Sequence, residues 1–173
     1  ADWLALDSNT GLLSGTPTND DVGVKRVSVV LDDGNGGTDT HSFDLEVVDV
    51  NDPPRIITED IPVATEDQYY YVNFQGDDPD GEELNWSMVT EAGWLLLDGE
   101  MGILNGTPYN DDVGIYNLNI TATDPRGSSA FKSFQLEVLN ENDPPTWADT
   151  PVDGSIKEGE VYYFDINATD VEK

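Results

Sequence analysis

Residues 94–108 read Trp-Leu-Leu-Leu-Asp-Gly-Glu-Met-Gly-Ile-Leu-Asn-Gly-Thr-Pro, and residues 3–17 read Trp-Leu-Ala-Leu-Asp-Ser-Asn-Thr-Gly-Leu-Leu-Ser-Gly-Thr-Pro. The similarity continues beyond these stretches. Residues 3–54 align without a gap on residues 94–145, and 25 of the 52 positions are identical. Similarity at one fixed spacing indicates stacked structural repeats, so the chain is expected to be a tandem array with a period of about 92 residues.

The sequence Asn-Asp-Pro-Pro marks the junctions between the repeats, because it occurs at residues 51–54 and again at 142–145. Division at this motif predicts three segments. Residues 1–52 are the C-terminal half of one repeat, residues 53–143 are a complete repeat, and residues 144–173 are the N-terminal part of a further repeat. Residues 53–143 are called the complete unit below.

Side chains in the complete unit alternate between apolar and polar with a period of two. Tyr70, Val72 and Phe74, for example, alternate with Tyr71 and Asn73. The same alternation covers residues 84–88, 118–122 and 134–138. A period of two is typical of half-buried strands, and no window favours an amphipathic helix.

About seven short strands in a repeat of this length favour an all-β fold of tandem immunoglobulin-like Greek-key β-sandwiches. The stretch from Asp112 to Leu118 resembles the tyrosine corner of that fold, with Tyr116 as the tyrosine and Leu118 in the position of the usual cysteine. Trp3, Trp86 and Trp94 are expected in the cores of their repeats, whereas Trp147 is expected to be exposed.

The composition excludes several classes of function. The 36 acidic and 7 basic residues give a net charge of −29, which disfavours nucleic acids and anionic membrane surfaces and favours cations. No stretch is apolar enough to insert into a bilayer. The chain has no Cys and a single histidine, His41, so thiolate or multi-histidine metal sites and enzyme catalysis are not expected.

The carboxylates are concentrated in turns near the two junctions. The first junction offers Asp20, Asp21, Asp49, Asn51, Asp52, Asp78, Asp80 and Asp124. The second junction offers Glu66, Asp111, Asp112, Glu141, Asn142, Asp143, Asp170 and Glu172. Acidic loops can serve solubility alone, but the recurrence of Asp20-Asp21 as Asp111-Asp112 favours a repeated site. Clustered Asp, Glu and Asn oxygens on loops suit Ca²⁺, which takes six to eight oxygen ligands in irregular geometry.

Several motifs resemble those of cadherin repeats. Residues 4–13 are similar to the Phe-x-Ile-Asp-x-x-Thr-Gly-x-Ile element, residues 49–52 to the Asp-x-Asn-Asp-Asn linker, and residues 78–80 to the Asp-x-Asp calcium loop. The Trp-Leu-x-Leu-Asp and Leu-x-Gly-Thr-Pro-x-Asn-Asp-Asp-Val-Gly elements are more like the dystroglycan-type cadherin-like, or putative immunoglobulin, repeats of large bacterial surface and secreted proteins.

The resemblance implies that Ca²⁺ is held between successive units. Asp21 would then stand near the cadherin Asp-Arg-Glu position, the linker residues 49–52 would supply oxygens, and Asp78, Asp80 and Asp124 would complete the shell. The pattern departs from that of cadherins at the second junction, where Asn140 replaces Asp49 and Glu172 replaces Asp80. The second site is therefore expected to be weaker.

These observations predict a calcium-stiffened segment of an extracellular or cell-surface protein that serves adhesion, spacing or filament formation. Other copies of the chain are expected partners, because residues 144–173 and 1–52 carry complementary parts of a repeat and could pair head to tail. The alternative is a carbohydrate-binding module of a secreted polysaccharide-degrading protein, with a polysaccharide or cell-surface ligand. A module of that kind should present coplanar aromatic rings on one exposed face.

Overall fold

The computed structural model describes residues 2–170 as strands and turns, with two short 3₁₀ turns at Asn19–Asp21 and Asn110–Asp112. Fifteen strands lie in these residues: β1 (Leu4–Leu6), β2 (Leu13–Gly15), β3 (Gly23–Asp32), β4 (Thr38–Val47), β5 (Arg55–Ile56), β6 (Ala64–Thr65), β7 (Tyr70–Asn73), β8 (Gly76–Asp77), β9 (Asn85–Val89), β10 (Leu95–Asp98), β11 (Ile103–Gly106), β12 (Gly114–Thr123), β13 (Ser129–Leu139), β14 (Thr146–Asp149) and β15 (Asn167–Thr169). The all-β prediction is confirmed.

Two larger sheets form the sandwich of the complete unit, and the short β5–β8 pair is a separate two-stranded sheet. One has three strands in the order β10-β11-β7, and the other has four strands in the order β6-β13-β12-β9. Every pairing in these sheets is antiparallel except that of β6 with β13. The two sheets together contain seven strands, and one core cluster joins their inner faces. The predicted β-sandwich is therefore confirmed.

The core follows the period of two. Leu104, Leu118, Ile120 and Leu136 have no exposed surface, whereas Tyr71 on the outer face is 49% exposed. The remaining buried hydrophobic residues are Ile61, Ala64, Tyr70, Val72, Phe74, Trp86, Ala92, Leu95, Ala122, Phe134 and Val138. Trp94 packs against this cluster, edge-on to Tyr70 with ring centroids 6.0 Å apart.

Gly106 has no room for a side chain beside this tryptophan. A Cβ atom at Gly106 would lie 2.3 Å from the carbonyl oxygen of Trp94, and one at Gly15 would lie 1.9 Å from that of Trp3. Both contacts are with backbone, which cannot move aside cheaply. The Leu-x-Gly-Thr-Pro element therefore requires glycine at this position in both copies.

Tyr116 forms the expected tyrosine corner. Its hydroxyl donates a hydrogen bond to the backbone carbonyl of Asp112 at 3.0 Å. This bond ties β12 to the 3₁₀ turn that precedes it. The turn and the strand are thereby fixed beside the second junction.

The flanking segments repeat parts of this architecture. The β3–β4 hairpin pairs Gly23 with Val47, just as the β12–β13 hairpin pairs Gly114 with Val138. None of residues 2–52 is buried, although their apolar positions match those of the complete unit. The β14–β15 pair lies in residues 144–170, all of which are exposed.

Candidate metal site at the junctions

The Asp78–Gly81 turn of the complete unit lies beside the linker at the first junction. Gly81 adopts φ +75°, and its N–H donates to the Asp78 carbonyl at 3.0 Å. The Asp80 N–H donates to Asp78 Oδ1 at 2.9 Å. The Asp-Pro-Asp-Gly sequence therefore builds a tight turn that presents two carboxylates to the linker.

Asp80 holds the linker through its side chain. The Asp52 N–H donates to Asp80 Oδ2 at 2.8 Å. The Asn19 amide nitrogen donates to Asp80 Oδ1 at 2.9 Å and to Asp52 Oδ2 at 3.0 Å. Three segments meet at these contacts: the first 3₁₀ turn, the linker and the Asp78–Gly81 turn.

Asp124 lies on the other side of the linker, in the turn between β12 and β13, and it is 4% exposed. Its Oδ1 accepts the N–H groups of Arg126 and Ser128, each at 2.9 Å. Its Oδ2 accepts the Asn51 amide at 2.8 Å. Burial raises the pKa of the Asp124 carboxyl, but the bonds from Asn51 and from residues 126–128 outweigh burial and hold that pKa below its ordinary value.

Buried oxygen atoms without hydrogen-bond partners also lie around this junction. In the described part of the chain they include Asp78 Oδ2, Asn51 Oδ1 and Glu82 Oε2. Asp78 itself is 6% exposed. A buried polar atom without a partner costs about 1–3 kcal/mol, and a bound water or ion is the usual compensation.

The donor set fits a hard cation, because all of these atoms are carboxylate or amide oxygens. The carboxylates are nevertheless spread around the linker. Within residues 2–170 no group of three or more His, Cys, Asp or Glu side chains is close enough together to hold a metal ion. The ligand roles of the acidic residues therefore stay predictions.

Asp20 and Asp21 are placed differently from the linker ligands. Asp21 Oδ2 accepts the Thr18 N–H at 3.0 Å and the Thr18 hydroxyl at 3.1 Å, so this carboxylate caps its own 3₁₀ turn. Asp20 is exposed. Within the Asn19-Asp20-Asp21 triplet, Asn19 is the residue that contacts the linker.

Asp49 is held by a guanidinium group. Nη1 of Arg126 lies 2.5 Å from Asp49 Oδ2, and Nε of Arg126 lies 2.8 Å from Glu82 Oε1. The hydrogen bond to Asp49 raises the pKa of Arg126, and the nearby charges of Asp49, Glu82 and Asp80 raise it further.

Four residues at this junction were missed by sequence reasoning: Asn19, Glu82, Arg126 and Ser128. Asn19 has a sequence signal in its recurrence as Asn110, whereas the other three are marked only by their proximity to proposed ligands. Arg126, for example, is two residues beyond Asp124 in a stretch that reads simply as a turn.

The second junction repeats the contacts that the preceding unit supplies. The Asn110 amide donates to Asp143 Oδ2 at 2.7 Å, as Asn19 does to Asp52. Asp112 Oδ2 accepts the Tyr109 N–H at 2.9 Å, so Asp112 caps its turn as Asp21 does.

Glu66 is the buried carboxylate of the second junction, with no exposed surface. Its Oε1 accepts the Glu141 N–H at 2.5 Å, and its Oε2 is buried without a hydrogen-bond partner. The Asn142 amide donates to the Asp143 carbonyl at 3.0 Å. Asp111 and Asp170 are exposed, and Glu172 lies outside the described residues.

A family model described as "Putative Ig domain" matches residues 2–48 and 53–139. The chain belongs to this family. The match covers most of both copies of the repeated stretch and confirms the resemblance to putative immunoglobulin repeats.

Relatives of this Ig-domain chain include the "Serine-rich adhesin for platelets" of Staphylococcus aureus strain USA300, which is 26% identical over 144 residues. The alignment covers 80% of this chain and 6% of the adhesin. The chain thus spans only a small part of the curated relatives that it matches.

Solved cadherin structures share the fold. Human CDH23 EC21-23 has a TM-score of 0.68 at 20% identity, covering 99% of this chain and 62% of that one. Protocadherin Gamma B7 extracellular cadherin domains 1-4 have a TM-score of 0.60 at 18% identity, covering 98% and 47%. At these identities the likeness concerns the fold alone. No helix within residues 2–170 has the length and apolar character needed to cross a membrane.

Proposed function

We propose that the chain is a calcium-stiffened repeat segment of an extracellular or cell-surface protein, which serves adhesion or spaces a distant functional domain. The observation that carries this proposal is the pair of buried, unpartnered oxygens at the first junction, Asp78 Oδ2 and Asn51 Oδ1. One belongs to the complete unit and the other to the linker. A cation bound by both would connect the two parts across the junction.

The residues that would hold Ca²⁺ come from both sides of the linker. Asp78, Asp80 and Asp124 belong to the complete unit, and Asn51 and Asp52 belong to the linker. The ion would supply positive charge among carboxylates that otherwise repel one another. Asp80 and Asp124 already bind the linker by hydrogen bonds, so they position its oxygens before an ion arrives.

The second junction is proposed as a weaker site. Glu66 offers a buried, unpartnered oxygen from the complete unit, and Asn142 and Asp143 offer oxygens from the linker. On the far side the proposed ligand Asp170 is exposed. The lower affinity is proposed because Asn140 replaces Asp49 and Glu172 replaces Asp80 in the sequence of this junction.

Adhesion and a surface location are supported by the similarity to the staphylococcal "Serine-rich adhesin for platelets". For this chain, the partner would be a cell-surface ligand or another copy. The open edges of β2 and β4 correspond to the edges of β11 and β13 that pair with β7 and β6. They could accept strands from residues 144–170 of a second copy, which would produce a head-to-tail filament. The proposed role of the repeat is mechanical, and no enzymatic step is assigned to it.

The carbohydrate-binding alternative has less support. Tyr71, Phe131 and Trp147 are 49%, 77% and 68% exposed. They lie on β7, β13 and β14, which belong to three different sheets. The outer faces of the β7 and β13 sheets are on opposite sides of the sandwich, so Tyr71 and Phe131 do not form one stacking platform.

Substitution of Asp78 by Asn tests the proposed site. The variant keeps an oxygen for the Asp80 N–H but loses a charge, so the unfolding temperature of the chelated protein should hardly change. In calcium at 100 times the dissociation constant, wild type should gain about 2.7 kcal/mol per site, and Asp78→Asn should lose most of that gain.

Asp77→Asn is the matched control. Asp77 is adjacent in sequence, carries the same charge and is paired with Arg55 in an exposed ion pair. Its substitution should leave the calcium-dependent gain in unfolding free energy unchanged. An equal gain in wild type and Asp78→Asn would contradict the assignment of Asp78 as a calcium ligand.

A further inference from the structure

Arg126 provides a positive charge at the first junction from within the chain. Its guanidinium group bonds Asp49 of the linker through Nη1 and Glu82 of the complete unit through Nε. One side chain therefore connects the linker to the unit that follows it. A planar guanidinium group can hold two carboxylates in fixed directions, which the single ammonium of a lysine does not do equally well.

The turn that carries Arg126 is itself fastened to the linker. The Arg126 N–H donates to Asp124 Oδ1, and Asp124 Oδ2 accepts the amide of Asn51. The Asn51 amide also donates to the Ser128 hydroxyl at 2.8 Å. The turn that places the guanidinium beside Asp49 is therefore itself held by hydrogen bonds to the same linker.

The aligned position in the first copy is Asn35. The Asn35 N–H donates to Asp33 Oδ1 at 2.8 Å, as the Arg126 N–H does to Asp124 Oδ1. The turn therefore forms with either residue. The arginine is not needed for the turn, and its side chain serves the contact with Asp49 and Glu82.

We infer that Arg126 is a built-in counter-cation that holds the linker against the complete unit when no divalent ion is bound. It occupies Asp49 and one oxygen of Glu82, so these oxygens are withheld from an entering ion. The role of Arg126 in holding the linker does not depend on calcium. The withholding of Asp49 and Glu82 from an ion rests on the proposed function, and it predicts that removal of the guanidinium increases calcium affinity at this junction.

Distance measurements between two spin labels test the inference directly. The chain has no cysteine, so Thr40→Cys and Ser87→Cys place labels only on exposed positions of β4 and β9, on opposite sides of the junction. In metal-free protein, Arg126→Gln should broaden the distribution of label distances. The proportion of molecules outside the parental distance range should rise on the order of two- to fivefold, the range that a partly exposed ion pair supports.

Arg26→Gln is the matched control. It removes the same charge from an exposed ion pair within the β3–β4 hairpin, where Asp44 is its partner and no residue of the complete unit is bridged, and should leave the distribution unchanged. Arg126→Lys should also broaden it, because one ammonium does not reproduce the two-carboxylate bridge. Unchanged distributions in Arg126→Gln, or full retention of the parental distribution in Arg126→Lys, would overturn the inference.

Asp49→Asn removes the other end of the bridge and keeps the test valid if Arg126→Gln folds poorly. It should broaden the metal-free distribution as Arg126→Gln does, and the double variant should add little, because both changes remove one interaction. Fully additive broadening would show that the two residues act separately and would contradict the bridge. If the label distances in metal-free protein broaden as expected, but neither the wild type nor any variant binds calcium, the counter-cation role stands and the proposed function fails.

Discussion

Residues 3–54 and 94–145 are two copies of one sequence in different surroundings. Both form a two-stranded pair, a 3₁₀ turn capped by an aspartate and a long hairpin in the same register. The second copy packs against β6, β7 and β9 and has a closed core, whereas residues 2–52 contain no buried residue. Local structure thus follows the copied sequence, and burial follows the strands that pair with it.

The first linker shows which contacts come from the copied sequence and which come from the unit that follows. Asn19 and Asn110 each bind the aspartate of their own linker. The first linker also meets Asp80, Asp124 and Arg126 of the complete unit. The copied half of the unit supplies one side of a junction, and the following unit must supply the other.

The largest expected difference between the copies concerns their matched leucines. Leu136 has no exposed surface, and Leu45, at the aligned position in the first copy, is half-buried. Leu136→Ala should lower the free energy of unfolding of the complete unit by about 2–5 kcal/mol, because it leaves a cavity in a closed core.

Leu45→Ala should change the same transition by less than about 0.5 kcal/mol, since Leu45 lies outside that core. Urea unfolding followed by the fluorescence of Trp86 and Trp94 measures both values. Equal losses of unfolding free energy in the two variants would show that the first copy and the complete unit fold as one unit, and would contradict the difference in burial between the two leucines.

Strands and turns could be predicted from the sequence because they depend on neighbours in the chain. The alternation at Tyr70, Val72 and Phe74 predicted which side chains face the core, and that prediction is confirmed. The tyrosine corner at Tyr116 is also confirmed. Each follows from a local pattern of residue types.

The contacts across the first junction could not be predicted in the same way. Arg126 and Asp49 are far apart in the sequence, and no periodic pattern connects them. Asp21 was proposed as a ligand because it recurs, but the same recurrence follows from its role as the cap of a 3₁₀ turn at Thr18. A repeated carboxylate therefore indicates a repeated local structure at least as strongly as it indicates a metal site.

A smaller difference is expected in the titration of two matched aspartates. Asp33 and Asp124 hold equivalent turns, and hydrogen bonds to each hold its pKa below the ordinary value of 3.8. A lowered pKa stabilises the folded state above pH 3.8, and this contribution disappears as the pH falls through the lowered pKa. Only Asp124 also accepts a bond from the linker, through Asn51.

Asn51→Ala should therefore raise the pKa of Asp124 and shift its loss of stabilisation to higher pH, while the pKa of Asp33 stays the same. Carboxyl carbon chemical shifts, followed by NMR across the acid range in metal-free protein, report both values. An unchanged pKa of Asp124 would show that the contact with Asn51 does not persist in solution.

The most direct test of the account is a calorimetric titration of Ca²⁺ into the metal-free 173-residue protein, with small-angle scattering and far-ultraviolet circular dichroism at both end points. We expect heat of binding and a narrower range of molecular dimensions after calcium is added. The β signal should be nearly equal at the two end points, because the hydrophobic core of the complete unit contains no proposed ligand. Absence of heat together with unchanged dimensions would contradict a calcium-stiffened junction.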